Sequence, residues 1–87
     1  MYRLYISETL EAKLSKLRKT DKNTFTIISK KVHEIQINPY HFKPLRHDLK
    51  GMRRVHINKS FVLIYEIIES EKAVRLLDFS HHDTVYR

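Results

Sequence analysis

The chain has 87 residues, 41% of them hydrophobic, and no Cys, so we expect one domain spanning residues 1–87 without disulfides or thiolate metal sites. Its longest apolar run, Phe61–Tyr65, is far too short to span a bilayer and no secretory signal is evident, so we expect a cytoplasmic protein without a membrane partner. The 17 Lys and Arg residues against 10 acidic residues give a net charge of +7, which favours nucleic acid, or an acidic protein, as a partner over a role in solubility alone.

A strand and a helix are predicted at the start of the chain. Hydrophobic residues alternate with Arg3 and Tyr5 along Tyr2–Ile6, which is typical of a strand with one buried face. Ser7 is a preferred helix N-cap, and the helix that follows it is predicted to end near Lys19. The apolar positions of this helix recur at helical spacing and are Leu10, Leu14 and Leu17.

A second helix is predicted directly after the first. Thr20 or Asp21 can cap it, and the Asn38-Pro39 pair ends it, because a residue before Pro is pushed out of the helical region. Its apolar stripe has helical spacing and consists of Phe25, Ile28, Val32 and Ile35. Two helices joined by so short a connection are expected to pack as an antiparallel hairpin.

Strand-like patterns replace the helical spacing in the C-terminal half. Gly51 marks a turn before a predicted half-buried strand, Met52–Asn58, and the nearly continuous apolar run Phe61–Ile68 indicates a central strand. Glu69–Lys72 is polar enough for a turn, and Ala73–Ser80 is predicted as the last strand. The order β-α-α-β-β-β predicts an α+β fold, in which the helical hairpin packs on one face of a curved, mostly antiparallel four-stranded sheet.

His and Arg side chains are concentrated in the same half of the chain. If Val55 and Ile57 point into the core, Arg54 and His56 must point together to the opposite face of the sheet. Imidazole exchanges protons near neutral pH because its ordinary pKa is about 6.5, and an Arg beside a phosphorus atom supplies fixed positive charge. A sheet face with these groups can bind RNA and has the ingredients to cleave it without a metal ion.

The longest motifs resemble those of the RelE/YafQ-type toxins, which belong to the RelE/ParE superfamily. His47–His56 contains a Leu-x-Gly turn followed by a basic strand, and Phe61–Tyr65 is an apolar strand that ends in Tyr, both as in that family. Leu77–Tyr86 is similar to the closing strand and C-terminal motif of the YafQ branch. Two positions differ from the family pattern, because Ser60 stands where YafQ-like chains have Asp and Val62 stands where RelE-like chains have Arg.

This resemblance implies a RelE-like fold and a toxin of a type II toxin–antitoxin system. It implies an endoribonuclease that enters the ribosomal A site and cuts mRNA there, with no metal and no organic cofactor. The expected partners are mRNA, ribosomal RNA and a cognate RelB-like antitoxin, which would bind the toxin in a heterodimer or heterotetramer.

The same resemblance implies particular site residues. Four residues match catalytic positions of the family: His47, His56, His82 and Arg54. Among them, His82 is the candidate general acid and Arg54 the candidate for stabilising the phosphate charge. Four further residues are expected to contact RNA: Arg53, Phe61, His81 and Tyr86. The sequence leaves open whether His81 or His82 faces the site, because adjacent residues of a strand point in opposite directions.

Three other interpretations remain open on the sequence. A zinc site could be built from His47, His56, His82 and Asp83, although their spacing matches no compact ligand motif. A ParE-type toxin of the same fold would inhibit DNA gyrase without cutting RNA, and a plain RNA-binding module would also carry this net charge. Replacing His47 or His82 with Ala separates a nuclease from either, since only cleavage depends on these imidazoles.

Overall fold

Four strands form one mixed sheet, and two helices cover one of its faces. The structure, a computed structural model, describes residues 1–44 and 51–85, without the side chains of Thr84 and Val85. Along the chain the elements are β1 (Arg3–Ile6), α1 (Glu8–Thr20), α2 (Lys22–Ile37), β2 (Met52–Ile57), β3 (Phe61–Ile68), a 3-10 turn (Glu69–Glu71), β4 (Ala73–His81) and the short α3 (His82–Val85). The sheet order is β1-β4-β3-β2, with β1 parallel to β4 and the other two pairs antiparallel. The predicted α+β class and element order are therefore confirmed.

Capping side chains fix where the two long helices begin. The Ser7 hydroxyl accepts the backbone N–H of Leu10 at 3.2 Å, as expected for the first helix. Asp21 rather than Thr20 caps the second, because its carboxylate accepts the Thr24 hydroxyl at 2.6 Å and the Thr24 backbone N–H at 3.1 Å. These two bonds lower the pKa of Asp21. Within the described part of the chain, no helix combines the length and the apolar character needed to cross a membrane.

Three strand ends differ by one residue from the prediction. β1 begins at Arg3 rather than Tyr2, and the other two differences shape the site. β2 ends at Ile57 because Asn58 turns into the left-handed region, with a φ of 57°. β4 runs one residue past Ser80, because His81 still pairs with Phe61 at the start of β3. The extra pair places the beginning of α3 beside the turn between β2 and β3.

The hydrophobic core lies between the sheet and the two long helices. Its buried side chains are Leu10, Ile28, Ile35, Val55, Ile57, Leu63, Tyr65, Val74, Leu76 and Phe79. Leu14 and Leu17 of α1 and Val32 of α2 are partly buried and pack against this cluster. The predicted stripe of the first helix therefore faces the sheet, and so do three of the four positions predicted for the second. The exception is Phe25, which is half-buried outside this cluster, while Ile27 packs against the core instead.

A buried hydrogen bond ties the central strand to the end of α2. Tyr65 is fully buried, and its hydroxyl donates to the Pro39 carbonyl at 2.6 Å. Burial raises the pKa of this hydroxyl to about 12, so it remains a donor at neutral pH.

We expect Tyr65→Phe to lower the free energy of unfolding by about 1–3 kcal/mol, because the buried Pro39 carbonyl loses its donor. Urea denaturation measures this loss. Tyr5→Phe is the matched control, since the Tyr5 hydroxyl bonds to Glu71 at the surface, where water can replace it. A loss no larger than that of the control would contradict a stabilising role for the buried bond.

Candidate active site

Strand β2 presents its cationic and imidazole side chains on the sheet face opposite the helices. Val55 and Ile57 are 4% and 0% exposed in the core, whereas His56 is exposed and Arg54 half-buried on the other face. The parity inferred from the sequence is therefore confirmed. In the sheet ladder His56 lies opposite Val62, which is fully buried although it belongs to the face without the long helices.

The C-terminal histidine that reaches this face is His82, the first residue of α3. Its backbone N–H donates to the Ser60 carbonyl at 2.7 Å, which holds the start of α3 against the turn before β3. The rings of His56 and His82 stack, with their centroids 5.6 Å apart and their planes at 29°. We refer to His56 and His82 together as the imidazole pair.

The surroundings of the imidazole pair favour the neutral form of His56. Partial burial is the largest cause that lowers the pKa of His56, followed by the positive charges of Arg54, His82 and Lys43. Each of these effects disfavours a protonated ring. His56 is therefore suited to accept a proton near neutral pH rather than to hold one.

A cavity of about 390 Å³ opens beside His56, between α2, β2 and the segment that follows Pro39. It is lined by Lys31, His41, Phe42, Lys43, Arg54, Val55 and His56, and we call it the basic cavity. Four of these residues, Lys31 and the run 41–43, were not predicted as site residues. A signal was present, since the run between Pro39 and Pro44 combines Tyr, His, Phe and Lys, the residue types that bind bases and phosphates.

The Arg53 side chain binds the segment that forms one wall of the basic cavity, and it does not lie on the face of the imidazole pair. Its guanidinium donates to the Phe42 carbonyl at 2.6 Å and to the Tyr40 carbonyl at 3.4 Å, and it lies 5.2 Å from the Tyr40 ring. The backbone N–H of Arg54 also donates to the Lys43 carbonyl, at 3.0 Å. Hydrogen bonds from Arg53 and Arg54 of β2 therefore fix the position of the segment 40–43.

Phe61 and His81 lie together on the helix side of the sheet. Phe61 pairs with Ile57 and His81, and its ring stacks on Phe79 with a centroid distance of 5.1 Å. The His81 ring meets Phe61 edge-on at 5.6 Å. Of the two adjacent histidines, His82 contacts His56, whereas His81 contacts Phe61. Two other residues predicted for the site, His47 and Tyr86, lie outside the described residues.

An acidic side chain lies next to both C-terminal histidines. Asp83 Oδ1 is 3.7 Å from His82 Nδ1, and Asp83 Oδ2 is 3.8 Å from His81 Nδ1. Among the residues that the structure describes, no three His, Asp or Glu side chains are grouped so as to hold a metal ion. The zinc site considered from the sequence also includes His47, which lies outside the described residues.

Comparison with known proteins identifies the family. The family model described as "ParE toxin of type II toxin-antitoxin system, parDE" matches residues 4–86. The chain is a toxin of the RelE/ParE superfamily. This toxin is 47% identical over 87 residues to a Methanocaldococcus jannaschii protein that is provisionally named toxin RelE4, an alignment that covers 100% of this chain and 93% of the relative.

Solved structures of other toxins share the fold of this RelE/ParE toxin. The YoeB/ParE toxin from Agrobacterium tumefaciens superposes with a TM-score of 0.84 at 15% identity, over 92% of this chain and 98% of that one. The intact E. coli RelBE toxin–antitoxin complex gives 0.77 at 18% identity, over 92% and 95% of the two chains. The resemblance inferred from the motifs is therefore confirmed at the level of the superfamily and its fold.

Proposed function

We propose that this RelE/ParE toxin is an endoribonuclease that cuts mRNA in the ribosomal A site and thereby stops translation. The observation that carries the proposal is the imidazole pair, two stacked rings 5.6 Å apart, on the sheet face that also carries Arg54. Cleavage of RNA by its own 2′-OH needs a proton acceptor, a proton donor and positive charge at the phosphate. These three functions match the residue types assembled on this face.

In the proposed reaction His56 takes the proton of the 2′-OH, because its lowered pKa keeps the ring able to accept one. The 2′-oxygen bonds to the neighbouring phosphorus as the bond from phosphorus to the 5′-oxygen breaks. Protonated His82 gives its proton to that leaving oxygen. The products are a 2′,3′-cyclic phosphate and a 5′-OH, and no metal or further reactant takes part. His47 is proposed as another proton-transfer group, the role that the resemblance to the family implies for it.

Arg54 is proposed to stabilise the negative charge that builds up on the phosphate oxygens. It lies two residues before His56 on the same strand, so both side chains leave the sheet on the same side. Because guanidinium stays charged at any relevant pH and can donate two parallel hydrogen bonds, it suits a phosphate better than a group that titrates.

A cognate antitoxin is the second proposed partner. Membership of a type II toxin–antitoxin family supports this, as does the shared fold with the toxin of the E. coli RelBE complex. We propose a RelB-like antitoxin bound in a heterodimer or heterotetramer. The net charge of +7 favours an antitoxin segment that carries acidic residues.

The proposal is tested by adding the purified toxin to a translating extract and mapping the mRNA by primer extension. We expect discrete cuts within codons that appear only while the mRNA is being translated. The doubly substituted His56→Ala/His82→Ala protein, purified in the same way, controls for contaminating nuclease. Intact mRNA in the presence of folded wild-type toxin would contradict the proposal.

Inhibition of DNA gyrase is the second candidate function. The observation that favours it is the ParE description of the family model that matches residues 4–86. A gyrase supercoiling assay run beside the mRNA assay separates the two candidates. Inhibited supercoiling with intact mRNA would support the ParE-like activity, and cut mRNA with normal supercoiling would support the ribonuclease.

A further inference from the structure

We propose that the basic cavity binds the nucleotide that flanks the cleaved bond, with Lys43 contacting its phosphate and the rings of His41 and Phe42 contacting its base. This inference rests on the proposed function for the identity of the polymer as RNA. It adds a subsite beside the imidazole pair, with which the cavity shares His56.

The size and position of the cavity suit a nucleotide. Its volume of about 390 Å³ lies within the range of small-molecule sites, about 300–1,000 Å³. His56 lines one of its walls and also stacks on His82. A strand of RNA whose reacting phosphate lies at the imidazole pair can therefore continue into the cavity without leaving the surface.

The charges around the cavity suit a phosphate group. Its described lining contains three cations, Lys31, Lys43 and Arg54, and no carboxylate. Lys31 is partly neutralised by Glu34, since a carboxylate oxygen of Glu34 lies 3.3 Å from its amino group, which is also 5.8 Å from the Phe42 ring. Lys43 is exposed, and no carboxylate of the residues the structure describes lies within ion-pair distance of it. Lys43 is therefore the cation best placed to meet a phosphate.

Two rings in the lining of the cavity suit a base. His41 is exposed, and its ring meets the half-buried Phe42 edge-on at a centroid distance of 5.0 Å. Phe42 also packs against the hydrophobic core, so its position is fixed by the fold. Unstacked bases of single-stranded RNA bind to exposed rings of this kind, next to cations that hold the backbone.

The test is binding of a short fluorescein-labelled single-stranded RNA with 2′-O-methyl groups, which lacks the attacking hydroxyl and stays intact. Fluorescence anisotropy at several salt concentrations gives the dissociation constant and its salt dependence. We expect Lys43→Ala to reduce the slope of log K against log salt by about 0.7, the value for one phosphate contact to a single strand. We expect His41→Ala to weaken binding at least about fivefold through loss of stacking. Lys19→Ala, an exposed lysine at the end of α1, is the control that removes the same charge elsewhere.

The outcomes separate this inference from the proposed function. A reduced slope in Lys43→Ala, together with an unchanged slope in Lys19→Ala, supports the subsite whether or not the wild type cuts mRNA. Equal slopes in the two lysine variants overturn the subsite, even if cleavage in the extract is normal. Failure of the wild type to bind the RNA at low salt overturns it as well.

Discussion

Replacing His82 with Ala is expected to slow mRNA cleavage by about 10²–10⁴-fold, and His56→Ala is expected to have an effect of similar size. Each variant removes one of the two proton transfers proposed for the imidazole pair. Because the two rings serve one reaction, the double variant is expected to be little slower than either single variant, rather than to show the product of both losses. Cleavage rates on ribosomes programmed with a defined mRNA measure these effects.

The control for this pair is His33→Ala, which removes an imidazole from an exposed position on α2. It is expected to cleave at the wild-type rate. His82→Ala keeps the backbone hydrogen bond from residue 82 to the Ser60 carbonyl, so a thermal melt should show the same fold. Wild-type rates in both His56→Ala and His82→Ala, with folding intact, would remove the imidazole pair from the mechanism.

Replacing Arg54 with Ala is expected to lower the cleavage rate by about 10²–10³-fold, because the developing phosphate charge loses a preorganised cation. Arg54→Lys is expected to recover only part of the rate, since Lys keeps the charge and loses the planar pair of donors. Arg3→Ala is the matched control. Arg3 is exposed on β1, at the opposite edge of the sheet from β2. Equal rates in the Arg54 and Arg3 variants would contradict a role for Arg54 at the phosphate.

The Arg54 variant also has a predicted pH signature. A base must be unprotonated to act, so a lowered pKa of His56 allows cleavage to continue below the ordinary imidazole pKa. Partial burial is the first cause of that lowering and the charge of Arg54 is the second. Removing Arg54 therefore raises the pKa of His56 and moves the acidic limb of kcat/KM to higher pH. An acidic limb that stays in place would indicate that His56 is not the base.

Most of the fold follows from hydrophobic spacing and a few capping residues. β3 has the predicted bounds, because Phe61–Ile68 is a nearly continuous apolar run whose short length and β-branched and aromatic residues favour a strand. The choice between Thr20 and Asp21 as helix cap could not be made from the sequence, since both side chains are preferred caps. Bonds to Thr24 in the first turn of α2 decide it in favour of Asp21, whereas the Thr20 hydroxyl donates back to the Lys16 carbonyl of α1.

The placement of the candidate site residues follows from the sequence where strand parity applies and not where the strand ends. Parity placed Arg54 beside His56 because both belong to one regular strand. It could not choose between the two C-terminal histidines, because β4 ends at His81 and α3 begins at His82, where the alternation stops. Helix α3 turns the chain, and the second histidine comes to lie against His56.

Phe61 illustrates how the register between two strands decides on which face of the sheet a side chain lies. It was expected among the RNA contacts, yet the hairpin pairs it with Ile57, so that Val62 lies opposite His56. The short connection between β2 and β3 implies this pairing, and counting residues across it would have put Phe61 on the core side. The basic cavity could not be found in this way, because Lys31 and residues 41–43 meet β2 only through tertiary packing.

The chemical ends of the cut mRNA test the central claim most directly, because they report which atom attacked the phosphorus. Fragments from the translating extract are treated with polynucleotide kinase with and without earlier phosphatase, and their 3′ ends are analysed by mass spectrometry. Attack by the 2′-OH, with His56 and His82 moving the protons, predicts a 5′-OH that the kinase labels directly and a 2′,3′-cyclic phosphate or 3′-phosphate. A 5′-phosphate with a 3′-OH would contradict this account, because those ends require water to attack the phosphorus.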